Sequence, residues 1–262
     1  MKSPKVVILC GGRGTRLREE TEIRPKPLIQ IGERPILWHI MKIYSFYGFN
    51  DFILCLGYKG SMIKEYFYNY YLLVNDFTLN LDGERQITFH NQSDEIDWRV
   101  TLADTGINSL KGSRIKKIEK YVDGDTFLLT YGDGVADVSI KAIIDFHKKH
   151  GKIGTLAGVK PPSRFGDLVV DKGKVLSFTE KAQASAGLIN GGFFVFNREI
   201  FDYLTIDDDC DLEMGVLEKL AEKDQLRVYE HKGNWECMDT YRDTAHLNEL
   251  WDNNNAFWKV WK

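Results

Sequence analysis

The sequence predicts an α/β protein: a mixed, mostly parallel sheet flanked by helices, with a small antiparallel hairpin excursion and a strand-rich C-terminal half. Through residue 150, short apolar runs alternate with segments whose apolar residues recur at helical spacing. That alternation builds parallel sheets covered on both faces. Glycine-rich turns close two of the apolar runs, at the strand ends where ligands of such sheets sit. After residue 153 the helical spacing gives way to strand patterns separated by turn residues.

The first element, Val6–Leu9, reads as a buried strand that breaks into Gly11, Gly12 and Gly14, followed by Thr15 and Arg16. Glycines let the backbone turn sharply and approach a ligand, and successive free N–H groups form a concavity that favours anions. Such a loop is either a phosphate cradle or only a tight connection. Its spacing matches neither a Gly-Lys-Ser/Thr loop nor G-x-G-x-x-G. In Arg24-Pro25-Lys26-Pro27, each proline disfavours helix in the residue before it, so Lys26 is expected on stiff, extended backbone. Arg13, Arg16, Arg18, Arg24 and Lys26 crowd this region, a cluster suited to a polyanion.

Ile36, Ile40, Ile43 and Tyr47 mark a helix, and Phe52–Leu56 the next buried strand. Tyr66, Phe67, Tyr70 and Tyr71 load a second helix with aromatic residues. Residues 77–90 place two strand-like runs around Asp82-Gly83, a hairpin signal because glycine takes positive φ without strain. A helix is expected over 113–121 with Ser113 as its cap. Phe127–Tyr131 is a strand running into Gly132-Asp133-Gly134, and Ile140, Ile143, Ile144 and His147 mark the helix after it. Strands are expected through 153–196, with turns at Pro161-Pro162 and Asp171-Lys172-Gly173, and helices over 213–223 and 240–253. Trp258 and Trp261 on the tail are expected to pack on the body or on a neighbouring subunit.

No repeat or linker interrupts the 262 residues, so they read as one domain, 43% hydrophobic. Net charge is −3, from 35 basic and 38 acidic residues, which argues against a nucleic-acid partner. Cys10, Cys55, Cys210 and Cys237 lack metal-ligand spacing, and the two that end apolar runs, Cys10 and Cys55, read as buried thiols. No apolar run approaches the roughly 20 residues that span a bilayer, so no membrane partner is expected and the protein is read as cytoplasmic. The histidines form no catalytic set, and His147 falls on the apolar face of its helix. Asp133, between two glycines at a strand end, is either a turn residue or a ligand for a hard cation. Asp239 is either a helix cap or a second such ligand.

GGRGTRL followed by RPKPL resembles the sugar-1-phosphate nucleotidyltransferases, and the similarity is greatest to the glucose-1-phosphate cytidylyltransferase branch. EET (19–21), IGERPILWHIMKIYSFYG (31–48), GYKG (57–60), DTG (104–106), FLLTYGDGVAD (127–137), INGGFFVF (189–196) and MDT (238–240) match that branch in order. The resemblance implies a Rossmann-like core with residues 1–150 mainly nucleotide-binding, and 151–262 mainly sugar-phosphate-binding and involved in oligomer contacts. It implies transfer of CMP from CTP to α-D-glucose 1-phosphate, with Mg²⁺ as cofactor, in a homo-oligomer. Arg16 and Lys26 would be catalytic. Leu9, Gly11, Gly12, Gly14, Thr15, Arg16, Lys26, Ser109, Arg114 and Gly132 would bind the nucleotide. Glu180, Lys181, Asn190 and Gly191 would bind the sugar phosphate, and Asp133 and Asp239 the metal. Two segments depart from the branch. Ala182 replaces the proline of Glu-Lys-Pro, and Leu212-Glu213-Met214-Gly215-Val216-Leu217 stands where W/F-E-x-E-P-L is usual. Both put the acceptor in question more than the donor, so another sugar 1-phosphate or phosphorylated acceptor stays open, as does a non-catalytic nucleotide-sugar-binding regulator.

Overall fold

β1 (Val6–Leu9) lies inside a seven-stranded sheet because all four of its residues are apolar and both its faces are covered. The structure, a computed structural model, describes residues 3–83, 86–90, 97–161, 167–171, 174–179 and 187–261. A short helix α1 (Arg18–Thr21) and a minimal hairpin of β2 (Gln30–Ile31) and β3 (Arg34–Pro35) lead into α2 (Ile36–Phe46) and β4 (Asp51–Leu56). Next come α3 (Gly60–Tyr68), α4 (Tyr70–Val74), β5 (Phe77–Leu79), β6 (Ile87–Phe89), β7 (Arg99–Asp104) and α5 (Lys111–Lys117). The middle of the chain adds β8 (Thr126–Tyr131), β9 (Gly134–Ala136), α6 (Ile140–His150) and β10 (Gly154–Val159). Then follow β11 (Asp167–Asp171), β12 (Lys174–Thr179), β13 (Ile189–Asn197), α7 (Glu218–Glu222), β14 (Leu226–Glu230), β15 (Trp235–Cys237) and α8 (Tyr241–Asp252).

The sheet runs β14-β10-β13-β8-β1-β4-β7. Every neighbouring pair is parallel except the two made by β13, which runs against both β10 and β8. Alternate side chains separate onto two cores, as the two-residue period of a strand requires. Val6, Ile8, Phe52, Leu54, Leu128, Phe193 and Val195 face one core with α2 and α6. Val7, Ile53, Phe127, Leu129, Phe194 and Phe196 face the other with α5 and α7. No helix among the described residues is long and apolar enough to cross a membrane.

Most expected elements are present, and the differences have local causes. The aromatic helix breaks at Asn69 into α3 and α4. The hairpin forms in the expected place, with Phe77 opposite Phe89 and Gly83 at φ +110°. Its strands leave Phe77, Leu79, Ile87 and Phe89 exposed. Ser113 is no cap: α5 starts earlier, at Lys111, and the buried Ser113 hydroxyl donates to the Ile206 carbonyl at 3.0 Å. The helix expected over 213–223 is broken. Gly215, at φ +124°, takes a backbone conformation closed to other residues, so regular helix begins only at Glu218. Lys26 does not sit on extended backbone. Pro25 does (φ −67°, ψ 146°), and Lys26 opens a single 3₁₀ turn whose Pro27 lies in the first turn, where no amide bond is lost. β11 and β12 pair antiparallel, while the turn residues Pro162, Lys172 and Gly173 lie outside the described residues.

Cys10 and Cys55 are buried free thiols, and burial pushes the Cys55 pKa up to about 12, so neither is reactive. His147 is buried, 2.8 Å from the Thr155 hydroxyl and 2.9 Å from Asn197 Oδ1, a satisfied core residue.

The tail packs on the body. Trp258 is fully buried, and its indole N–H donates to His39 Nδ1 at 3.3 Å. His39 Nε2 lies 2.9 Å from the Ile31 carbonyl, so one neutral tautomer satisfies both ring nitrogens. Trp251 and Trp261 pack around the same ring. Burial lowers the His39 pKa from 6.5 to about 4. Between those values the unfolded chain holds a proton that the folded one does not, so stability falls as the pH falls through that window. The loss approaches roughly 3 kcal/mol near pH 4. Urea unfolding at pH 7 and pH 4.5 is expected to show a smaller acid loss in His39→Gln than in the parent. Equal losses would rule His39 out as the source.

Candidate active site

The register of the sheet assembles the site. Leu9 pairs with Tyr131 across β1 and β8, so the glycine loop after β1 and Gly132-Asp133 after β8 leave the sheet side by side. Asp239 arrives from more than a hundred residues away because β15 pairs antiparallel with β9, setting Cys237 opposite Gly134. The Met238 amide then donates to the Asp133 carbonyl at 2.8 Å. Asp239 is not the helix cap. Thr240 takes that role in a capping box with Asp243, which leaves the Asp239 carboxylate for other partners.

Those partners are the two cations expected to matter. The Lys26 ammonium donates to Asp133 Oδ2 at 2.6 Å and to Asp239 Oδ1 at 2.7 Å. Arg16 reaches the other oxygen of Asp239 at 2.6 Å, from a side chain that is 70% exposed. Burial alone would lower the Lys26 pKa, but Asp133 and then Asp239 outweigh it and hold the ammonium above its usual value. Burial likewise works against the Asp239 carboxylate, yet Lys26 and then Arg16 keep it below the usual carboxylate range. The four groups form one charged cluster whose outer member faces solvent.

A cleft of about 360 Å³ opens beside this cluster. It is lined by Leu9, Gly11, Gly12, Gly14, Thr15, Arg16 and Lys26 from one side and Ser109, Arg114, Gly132, Asp133 and Asp239 from the other. All residues expected to bind nucleotide or metal therefore share one cavity. Gly14 sits at φ +62° with Thr21 and Lys26 packed where a Cβ would stand. Arg114 is 4% exposed, and both terminal nitrogens of its guanidinium are engaged. Nη1 donates to the Leu56 carbonyl at 3.1 Å, the Thr105 hydroxyl at 2.9 Å and the Gly106 carbonyl at 2.7 Å. Nη2 donates to the Gly11 carbonyl at 3.0 Å. Arg114 thus fastens the glycine loop to the ends of β4 and β7. The Ser109 hydroxyl is 2.6 Å from both the Thr105 carbonyl and Asp208 Oδ1, and accepts from Lys117 at 2.8 Å.

Asn190 and Gly191, on β13, do not line this cleft, and Asn190 is connected to it through Tyr131. Asn190 Nδ2 donates to the Tyr131 hydroxyl at 3.0 Å, and the Gly191 carbonyl accepts from the Trp235 indole at 2.8 Å. Glu180 and Lys181 lie outside the described residues, as does Ala182. Two residues that the sequence reading passed over, Tyr131 and Lys111, also line the cleft. Tyr131 was legible as the residue just before Gly132-Asp133. Lys111 had no signal beyond its place next to the stretch expected to contact the nucleotide.

A model of the nucleotidyl transferase family matches residues 5–259. A glucose-1-phosphate cytidylyltransferase of Salmonella typhi is 50% identical over 260 residues, covering 98% of this chain and 100% of that one. A probable glucose-1-phosphate cytidylyltransferase of Bacillus subtilis is 45% identical over 258 residues, with the same coverage. In fold, the chain is similar to the crystal structure of HddC from Yersinia pseudotuberculosis, with a TM-score of 0.68 at 23% identity, covering 95% of this chain and 100% of HddC. A strand-end glycine loop facing paired carboxylates, a family match across nearly every residue and relatives half identical from end to end agree: the chain belongs to the nucleotidyl transferase family.

Proposed function

We propose that this protein transfers CMP from CTP to α-D-glucose 1-phosphate, yielding CDP-glucose and pyrophosphate, with Mg²⁺ as cofactor. The observation that carries this reading is the convergence of Arg16, Lys26, Asp133 and Asp239 on one cleft beside the glycine loop. The relatives' names supply the choice of nucleotide and sugar. Residues 1–150 contribute mainly to the nucleotide side and residues 151–262 mainly to the sugar-phosphate side.

The donor set fits Mg²⁺. Asp133 and Asp239 aim oxygens at a single position of positive charge, filled here by the Lys26 ammonium. Among the described residues no cluster of three or more protein ligands exists. Mg²⁺ suits such a site because it takes one or two carboxylates and completes its shell with phosphate oxygens and water. When bound, it supplies the charge that draws electron density from the phosphate oxygens.

The remaining work falls to the chain. The attacking group is a phosphate monoester with a second pKa of about 6, so it is largely a dianion at pH 7 and needs no base. Among the described residues no histidine lines the cleft, in keeping with that chemistry. The obstacle is repulsion between anions, about 4 kcal/mol for two unit charges 4 Å apart at an effective dielectric of 20. Arg16 and Lys26 offset the triphosphate charge and the charge that builds on leaving pyrophosphate. The glycine loop brings backbone N–H groups to the phosphates, and Arg114 holds that loop still. Lys181 is assigned to the sugar phosphate, holding it in line for attack.

Pyrophosphate release measured for four nucleoside triphosphates against several sugar 1-phosphates tests the reading. CTP with α-D-glucose 1-phosphate is expected to react fastest, and only with Mg²⁺ present. Faster release with UTP would overturn the choice of base, and faster release with another sugar 1-phosphate the choice of acceptor. No release from any pair would leave a nucleotide-sugar-binding regulator as the better account.

A further inference from the structure

We propose that Glu213 is a positioning residue for acceptor recognition, acting through the Tyr131 hydroxyl to fix the orientation of the Asn190 side chain. The inference rests on the reading above that Asn190 meets the sugar.

The connection is a directed chain of hydrogen bonds. The Tyr131 hydroxyl donates to Glu213 Oε1, and Lys111 pairs with the same oxygen. The Lys111 ammonium also lies 4.7 Å over the centre of the Tyr131 ring. Asn190 Nδ2 donates to the Tyr131 oxygen at 3.0 Å, and Asn190 Oδ1 accepts the Gly192 amide at 2.9 Å. Gly192 is at φ +78°, and a Cβ there would stand 2.8 Å from the Tyr131 ring, so the turn beyond Asn190 closes directly onto the tyrosine.

Donor and acceptor roles leave one consistent arrangement. An ionised carboxylate only accepts, so the single Tyr131 proton is committed to Glu213. The tyrosine oxygen is then an acceptor towards Asn190. Asn190 must turn its NH₂ to Tyr131 and its carbonyl oxygen to Gly192, leaving one N–H and one lone pair in fixed places for sugar hydroxyls. Lys111 holds the carboxylate in place from the other side.

Glu213 sits in the broken segment Leu212–Leu217, whose backbone is non-helical at Met214 and Gly215. The Asp211 side chain accepts from the Met214 amide at 2.8 Å, and the positive φ of Gly215 ends the turn. This segment is therefore tied to Asn190 through one carboxylate and the Tyr131 hydroxyl.

Glu213→Gln keeps the shape and reverses the logic. Glutamine can donate to Tyr131, the tyrosine proton can turn towards Asn190, and an Asn190 amide flipped to accept it would then set its NH₂ against the Gly192 N–H. Steady-state kinetics with CTP and α-D-glucose 1-phosphate read the result. In Glu213→Gln the KM for the sugar 1-phosphate is expected to rise about tenfold, the worth of one well-placed polar contact, while the KM for CTP stays within about twofold. Tyr131→Phe is expected to do the same without touching Glu213, and serves as the test should Glu213→Gln fail to fold. In an Asn190→Ala background, Glu213→Gln is expected to add nothing to the sugar-phosphate KM. Equal shifts in both KM values, no shift in either, or full additivity with Asn190→Ala would each overturn the relay. A parent enzyme that releases no pyrophosphate would overturn the underlying reading instead, so the two failures are distinguishable.

Discussion

Lys26→Ala is expected to lower turnover by more than tenfold and to destabilise the fold by about 3 kcal/mol, the low end for breaking a buried ion pair. Lys26 has a side chain only 11% exposed and, among the described residues, is the one cation that touches both Asp133 and Asp239. Without it, two carboxylates face each other at a cleft wall. The low end applies because Arg16 still reaches Asp239 and the Asp133 side chain is 30% exposed, where solvent screens it. A raised lysine pKa means that its contribution is present at neutral pH and is lost only as pH rises past the ordinary lysine value. A lowered Asp239 pKa means that its contribution is lost only as pH falls below the ordinary carboxylate value. The Lys26–Asp239 pair therefore stays charged from roughly pH 5 to pH 9.

Loss of turnover and loss of stability need to be separated, and the geometry provides the means. Lys26→Met combined with Asp133→Asn removes one positive and one negative charge, so the repulsion left by Lys26→Met alone is relieved. The urea midpoint of the double variant is expected to recover at least half of the loss, while pyrophosphate release stays more than tenfold down. Recovery of release along with stability would make Lys26 a structural residue and remove it from catalysis. This comparison also tests Asp133, since a variant that lacks it should no longer respond to added Mg²⁺.

The local parts of this site were legible because local rules determine them. The end of the strand Val6–Leu9, the glycine turn and Lys26 lie within one short stretch, and Leu9, the glycines and Lys26 fall at the cleft. The fold class followed from alternating periods, and the hairpin from Asp82-Gly83. The backbone at Lys26 was misread, because the rule for residues before proline is a preference that a single 3₁₀ turn overrides. The helix over 213–223 was misread for a related reason: its apolar spacing is helical, but Gly215 breaks it. Asp239 could be placed only by resemblance, since nothing near it in the chain announces that β15 will pair with β9. The engagement of Arg114 by four oxygen acceptors was invisible in the same way, because its partners come from the ends of three separate strands.

That engagement makes Gly11 the position of the second large effect. A Cβ on Gly11 would lie 2.0 Å from Arg114 Nη1 and 2.3 Å from Cζ, far inside contact distance. The guanidinium cannot swing away at small cost, because it is buried and its two terminal nitrogens donate to four acceptors. Gly57 is under the same constraint, since a Cβ there would lie 2.4 Å from the same nitrogen. Gly11→Ala must therefore displace either the loop or the arginine, and overpacking of this kind costs about 3 kcal/mol. Release of the loop also disorders the N–H groups meant for the triphosphate, so kcat/KM for CTP is expected to fall more than tenfold. Gly12→Ala is the steric control, since nothing lies within 4 Å of its Cβ position. Its melting temperature is expected to match the parent's, while that of Gly11→Ala drops by several degrees. Equal melting temperatures for the two variants would mean that Arg114 yields easily, and that the loop is not held by it.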